Sequence, residues 1–281
     1  MASSTESNPL PAQETTCPIC FHRLPLQKSE HVYHTCCGQV ICDGCVIGKM
    51  RTQLKEPQPQ FKELGRIIEG TTPEEEQFRL IKKYGNHIYV CPYCRAPFPE
   101  DWEEGLQRLY DRIEVRDDRD YTIAVNQLGS YYSSGEHGLP QNLKKAEELF
   151  TKAYDLGNPD AAWHLYLLYH NYYPNQNEKE KKYLVRGEMI GNMECTSVLA
   201  KLACDSGNGE ECARLCMKAA LLGEDTSNLL QCYRHNLLSK DDLATTLRAI
   251  QAVKDEVTTK RRDFAHRFKE FCERIGITNQ Y

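Results

Sequence analysis

Eight of the chain's fourteen cysteines fall into four close pairs: Cys17-x2-Cys20, Cys36-Cys37, Cys42-x2-Cys45 and Cys91-x2-Cys94. No other feature restricts the fold as much. A CxxC turn lets two thiolates reach one ion at about 2.3 Å, while backbone N–H groups of the turn soften the sulfur charge. Three such turns and a fourth pair supply eight ligands, enough for two closed tetrahedral sites. Three CxxC turns in one short stretch do not arise by chance. A closed site keeps no open coordination position, so the expected metal, two Zn2+ ions, is structural and not a Lewis-acid catalyst. Four pairs can serve two ions either in sequence or interleaved.

The other six cysteines, Cys195, Cys204, Cys212, Cys216, Cys232 and Cys272, are scattered along helical sequence and read as small core residues. Residues 1–15 are small and polar, with neither a basic nor an apolar signal region, and read as a disordered leader. With no targeting signal, the chain is expected in the cytoplasm or nucleus. There, metal binding or burial outweighs disulfide formation. A length of 281 residues allows two modest domains. The formal net charge of −5 gives no basic field for a nucleic-acid backbone. No apolar run approaches the roughly 20 residues that span a bilayer. Neither nucleic acid nor membrane is therefore an expected partner.

The order Cys17-Pro18-Ile19-Cys20, Cys37-Gly38-Gln39-Val40-Ile41-Cys42-Asp43-Gly44-Cys45 and Cys91-Pro92-Tyr93-Cys94-Arg95 resembles a RING-type zinc finger. The resemblance implies a cross-brace. Cys17, Cys20, Cys42 and Cys45 would bind the first zinc, and Cys36, Cys37, Cys91 and Cys94 the second. Metal binding would supply the folding energy of so small a core. The pattern departs from the common RING, where a histidine would stand at Gln39. It is similar to the all-cysteine RINGs of the Not-complex ubiquitin ligases, although those separate the second pair by one residue. Either Cys36 and Cys37 both bind, or His34 replaces Cys36. His31, and His34 if it does not bind, read as strand or loop histidines; His22 and His87 read as solvated. After Cys45, the positions of Val46, Ile47, Met50 and Leu54 suit the central RING helix. An insertion follows at about 49–85, with a helix start at Thr71–Glu76.

RING modules dock a ubiquitin-conjugating enzyme that carries ubiquitin as a thioester, and hold it in a reactive geometry. No covalent intermediate forms on the RING, so the catalysis is orientation. By position, Ile19 and Pro92 match the apolar docking residues of the two zinc loops. Arg95 matches the residue that bridges conjugating enzyme and ubiquitin, a role suited to a planar guanidinium. The implied activity is that of an E3 ubiquitin transferase. The alternative is a non-catalytic, zinc-stabilised scaffold for protein interactions.

The chain then reads as all-helical. Trp102, Leu106, Leu109, Ile113 and Val115 form a helical stripe in a linking segment, 99–118. From 119 to 227 a motif recurs around Gly157, Gly191 and Gly223, each placed to end a helix in the left-handed conformation, with a small residue four positions on. The first unit, Leu128-Gly129-x-Tyr131-Tyr132 through Gly135-x2-Gly138 to Lys145-Ala146, resembles a Sel1-like repeat, a relative of the tetratricopeptide repeat. Two degenerate units follow, with Tyr173-Pro174-Asn175 and Gly207-Asn208-Gly209 in place of the glycine loop. Tyr131, Tyr132, Trp163, Tyr166, Tyr169, Tyr172 and Tyr173 read as core, with a few lining a partner groove. Residues 228–281 form a charged helical extension, capped at Ser239 before Leu243, Leu247, Ile250 and Val253. The expected architecture is a small α+β zinc cross-brace at 16–98 followed by an all-α helical-repeat solenoid. The whole resembles the RING/Sel1 proteins numerous in diatoms and related marine protists. The repeats would recruit an unidentified protein substrate or adaptor.

Overall fold

The computed structural model describes residues 16–24, 31–53, 91–97, 99, 101–115, 118–173, 175–257 and 262. The expected leader, most of the insertion (including Leu54 and Thr71–Glu76), His87, Pro174, Cys272 and most of the tail past Val257 lie outside them. Among the described residues are ten helices and one two-stranded sheet. The chain divides into two compact units. One contains Thr15–Arg112 and Asp255–Tyr281, and the other Ile113–Lys254.

The first unit is built on a hairpin. Strands β1 (His31–His34) and β2 (Gln39–Cys42) pair antiparallel, His31 opposite Cys42 and His34 opposite Gln39. The loop is Thr35-Cys36-Cys37-Gly38. Gly38, at φ +70°, turns the chain, and its N–H donates to the His34 carbonyl at 2.7 Å. Helix α1 (Asp43–Gln53) leaves β2 without a linker. The core is small: Cys17, Leu24, Ile41, Cys42, Cys45 and Cys91 are buried, with Ile19, Val40 and Val46 packed partly against them. Helix α2 (Trp102–Val115) covers the expected linking segment, but its stripe is uneven. Leu109 is fully buried, whereas Trp102 and Val115 are exposed.

In the second unit the helices pack as hairpins: α3 (Asp118–Ser134) with α4 (Leu143–Asp155), α5 (Pro159–Tyr172) with α6 (Asn177–Met189), and α7 (Met193–Asp205) with α8 (Gly209–Leu221). The leading helices α3, α5 and α7 also touch in succession, so each hairpin covers the apolar face of the one before it. The junctions follow from their sequence. Gly191, at φ +86°, ends α6, and the N–H of Asn192 returns to the Gly187 carbonyl at 2.8 Å. The Asn192 side chain then caps α7 by accepting from the Cys195 N–H at 2.8 Å. Asn142, Asn158 and Asn208 cap α4, α5 and α8 in the same way.

The small residues four positions past Gly157 and Gly191, Ala161 and Cys195, are fully buried. Ser227, after Gly223, is exposed at the start of the short helix α9 (Ser227–Arg234). Of the seven aromatics expected mostly in the core, Tyr132 and Tyr169 are buried and Tyr172 is exposed. Helix α10 (Lys240–Val257) starts at a Ser239 cap, whose Oγ accepts from the Asp242 N–H at 3.1 Å. Leu243 and Ile250 pack on the α7–α9 core.

The scattered cysteines are not all plain core. Cys195, Cys212, Cys216 and Cys232 are buried, but Cys204 is exposed and forms a disulfide with Cys212. The tight Gly207-Asn208 turn brings their Cα atoms to 5.0 Å, inside disulfide reach.

Candidate metal centre

The hairpin distributes its cysteines to its two ends. Cys36 and Cys37 sit in the loop at the tip. Cys42 ends β2 at the base, and Cys45 lies in the first turn of α1. Four strand residues, about 13 Å of extended chain, separate tip from base. The remaining cysteines come from two knuckles of matching design. In one, the Phe21 N–H donates to the Cys17 carbonyl at 2.9 Å, and the Cys17 N–H to the His22 carbonyl at 2.9 Å. In the other, the Arg95 N–H donates to the Cys91 carbonyl at 2.9 Å, and the Cys91 N–H to the Ala96 carbonyl at 2.8 Å. Phe21 and Arg95 hold equivalent positions and both take positive φ, +58° and +64°.

Each knuckle meets one end of the hairpin. The sulfurs of Cys17, Cys20, Cys42 and Cys45 lie within 4.8 Å of one another, and so do those of Cys36, Cys37, Cys91 and Cys94. The arrangement is interleaved, first pair with third and second with fourth. Sulfur separations are 3.8 Å for Cys20–Cys42, 3.6 Å for Cys37–Cys91 and 3.4 Å for Cys36–Cys94. A tetrahedron with 2.3 Å metal–sulfur bonds has edges of about 3.8 Å, so both sets fit a tetrathiolate ion. His34 is outside the second group. Its ring is buried in β1, and burial lowers its pKa to about 4, which keeps it neutral.

The thiols share charge within each group. Hydrogen bonds from Cys42 and Cys45 hold the Cys17 thiol far below its usual range, and Cys17 in turn pushes both partners up. In the second group the bond with Cys36 lowers Cys37 to about 6, while the same bond pushes Cys36 up. Burial raises Cys91 to about 11. Negative charge gathers on Cys17 in the first group and on Cys37 in the second, and the thiols pushed up beside them keep their protons. A divalent cation would displace those protons and satisfy all four sulfurs.

Two arginines approach these groups. Arg112 of α2 donates to the carbonyls of Thr35 and Cys36 at 3.0 and 2.7 Å, gripping the hairpin tip. Arg262 Nη2 lies 3.9 Å from the Cys20 sulfur. Neither is legible from spacing, since both are remote in sequence. Of the residues matched to docking roles, Ile19 and Pro92 are half-buried and Arg95 is exposed. Two further apolar residues project from the knuckles: Phe21 is 81% exposed and Tyr93 51% exposed. The position of Phe21, directly after a CxxC, is the available signal, because Arg95 follows the last CxxC in the same way.

The eight cysteines thus form two groups that could each hold a metal ion, and the rest of the chain includes a helical repeat-like unit. No helix among the described residues is long and apolar enough to cross a membrane. No family model, curated protein or solved structure matches the chain.

Proposed function

We propose that the first unit is a RING-type module holding two structural zinc ions, and that the protein is an E3 ubiquitin ligase. The observation that carries this reading is the interleaving of two four-cysteine groups at opposite ends of one hairpin. Closed tetrathiolate sites leave no position for a substrate, so the module acts by presenting a surface. Ile19 and Pro92, from the two knuckles, dock the ubiquitin-conjugating enzyme. Exposed Arg95 bridges the enzyme and its thioester-linked ubiquitin. The repeats, of Sel1-like type, recruit a protein substrate or adaptor. In support, the rings of Trp163, Tyr166 and His170 stack along α5 at 5.3 Å spacing and remain partly open to solvent.

The test is single-turnover discharge of ubiquitin from a panel of charged conjugating enzymes to free lysine. The full chain should accelerate discharge with at least one of them. Ile19→Ala and Arg95→Ala should lose the acceleration, on the order of a hundredfold for Arg95→Ala, because a misplaced thioester reacts that much more slowly. Metal content should be unchanged in both variants. Absence of acceleration across the panel would leave the scaffold as the function.

A further inference from the structure

Four cysteines of the second unit converge where α7, α8 and α9 meet. Cys204 lies in the last turn of α7. Cys212 and Cys216 stand one turn apart on the same face of α8, and Cys232 belongs to α9. The sulfurs of Cys204, Cys212 and Cys216 lie within 4.8 Å of one another. Cys232 Sγ lies outside that group of three but 3.7 Å from Cys212 Sγ, close to the 3.8 and 3.6 Å separations in the N-terminal groups. All four cysteines line one cavity of about 780 Å³, bordered also by Lys201 and His235. The cavity gives an ion access, which a sealed cluster of core thiols lacks. Where this core needs only small apolar bulk, it uses alanine: Ala200, Ala203, Ala213 and Ala220 fill the same cluster.

The geometry points to a third metal site, in which Cys204, Cys212, Cys216 and Cys232, when reduced, hold one zinc-class divalent ion and tie three successive helices together. The Cys204–Cys212 disulfide is the oxidised, metal-free state of this site. A thiol or phosphine reductant supplies two electrons, the S–S bond breaks, and the freed sulfurs take up protons. The ion then displaces the thiol protons to solvent and forms four metal–sulfur bonds. Hydrogen peroxide reverses the exchange. It takes two electrons from the Cys204 and Cys212 thiolates and two protons from solvent, yielding two waters, while the disulfide re-forms, Cys216 and Cys232 take up two further protons and the ion leaves. The site is separate from the N-terminal groups and does not depend on the proposed ligase activity.

The test uses the full chain, reduced and loaded with zinc, and then with cobalt. Cys216→Ser/Cys232→Ser should carry one metal equivalent fewer than the unaltered chain, whatever the total. Because those two side chains are buried, Cys204→Ser, at an exposed position, provides a second reading with the fold checked by circular dichroism. It should replace one tetrathiolate cobalt spectrum by that of a three-sulfur site. Peroxide should release one equivalent from the unaltered chain, with a Cys204–Cys212 disulfide found by mass spectrometry, and Cys204→Ser should form no such bond. An unchanged cobalt spectrum in Cys204→Ser, or an unchanged metal count in the folded double variant, would overturn the assignment.

Discussion

The guanidinium of Arg112 donates to the backbone carbonyl of Cys36 at 2.7 Å, so α2 holds the hairpin tip that carries half of the second cysteine group. A second bond, to Thr35, fixes the planar fork in place. Hydrogen bonds to a charged donor contribute about 1.5–3 kcal/mol. Arg112→Ala should therefore speed zinc transfer from one of the two N-terminal sites to a chelator by roughly tenfold or more, with the other site unaffected. Lysine at this position should restore only part of the loss. Equal release rates in all three proteins would show that the grip does not matter to the metal.

The identity of the second-group ligands makes a sharper demand. Cys36 Sγ lies 3.4 Å from Cys94 Sγ, while the His34 ring is packed into β1. Cys36→Ser should lower the zinc content by one equivalent under competition with a chelator. His34→Ala should keep that equivalent, although it opens a space in the core. The reverse pattern, measured by native mass spectrometry, would make His34 the ligand.

Phe21 and Arg95 close the two knuckles at positive φ, a conformation that costs a non-glycine residue about 1–2 kcal/mol. Both side chains are exposed, so no packing repays that strain. Phe21→Gly and Arg95→Gly should leave both zinc ions bound and raise the unfolding midpoint of the first unit slightly. If the knuckle surface is the docking face, the same glycines should weaken ubiquitin discharge. A variant that loses metal would mean that the side chain supports the knuckle itself.

Much of this arrangement is legible in residue spacing alone. The CxxC spacings mark the cysteine pairs that converge into groups able to hold a metal, and Gly157, Gly191 and Gly223 mark helix ends because little else takes that conformation. Gly207-Asn208 ends and caps helices as Gly191-Asn192 does, and it lies within a hairpin, in the place of the glycine loop of the first repeat. What escapes is contact between separate helices. The convergence of Cys204, Cys212, Cys216 and Cys232 needs three helices folded against each other, and no local spacing encodes that.

The close approach of α6 to its neighbours rests on a missing side chain. A Cβ on Gly187 would collide with the Cys195 sulfur and stand 2.8 Å from Cys195 Cβ and 3.3 Å from Ala162 Cβ. The sulfur could turn about χ1, but the two Cβ atoms are fixed to their backbones and cannot move aside on their own. Gly187→Ala should destabilise the second unit by about 1–3 kcal/mol, despite the better helix propensity of alanine. Gly209→Ala is the control, since its nearest obstacle is the tip of Leu237 at 2.7 Å, which can rotate. Urea midpoints for the two variants should differ clearly; equal midpoints would mean that α6 can shift at no cost.

The rings of Tyr169 and Tyr183 stack 5.5 Å apart, both buried between hairpins. Burial pushes the Tyr183 phenol up to about 12 and raises Tyr169 as well, where the bond donated to Glu147 adds to the effect. The unfolded phenols titrate near 10. Below that pH both states hold their protons and the stabilisation is complete. Between about 10 and 12 the unfolded chain has released protons that the folded chain still binds, so stability must fall as pH rises. Unfolding midpoints of the second unit, measured across that window, should decline, and Tyr183→Phe should flatten the decline by removing one of the two phenols. A slope identical in the variant would mean that Tyr183 titrates as it does in the unfolded chain and that its burial carries no linkage.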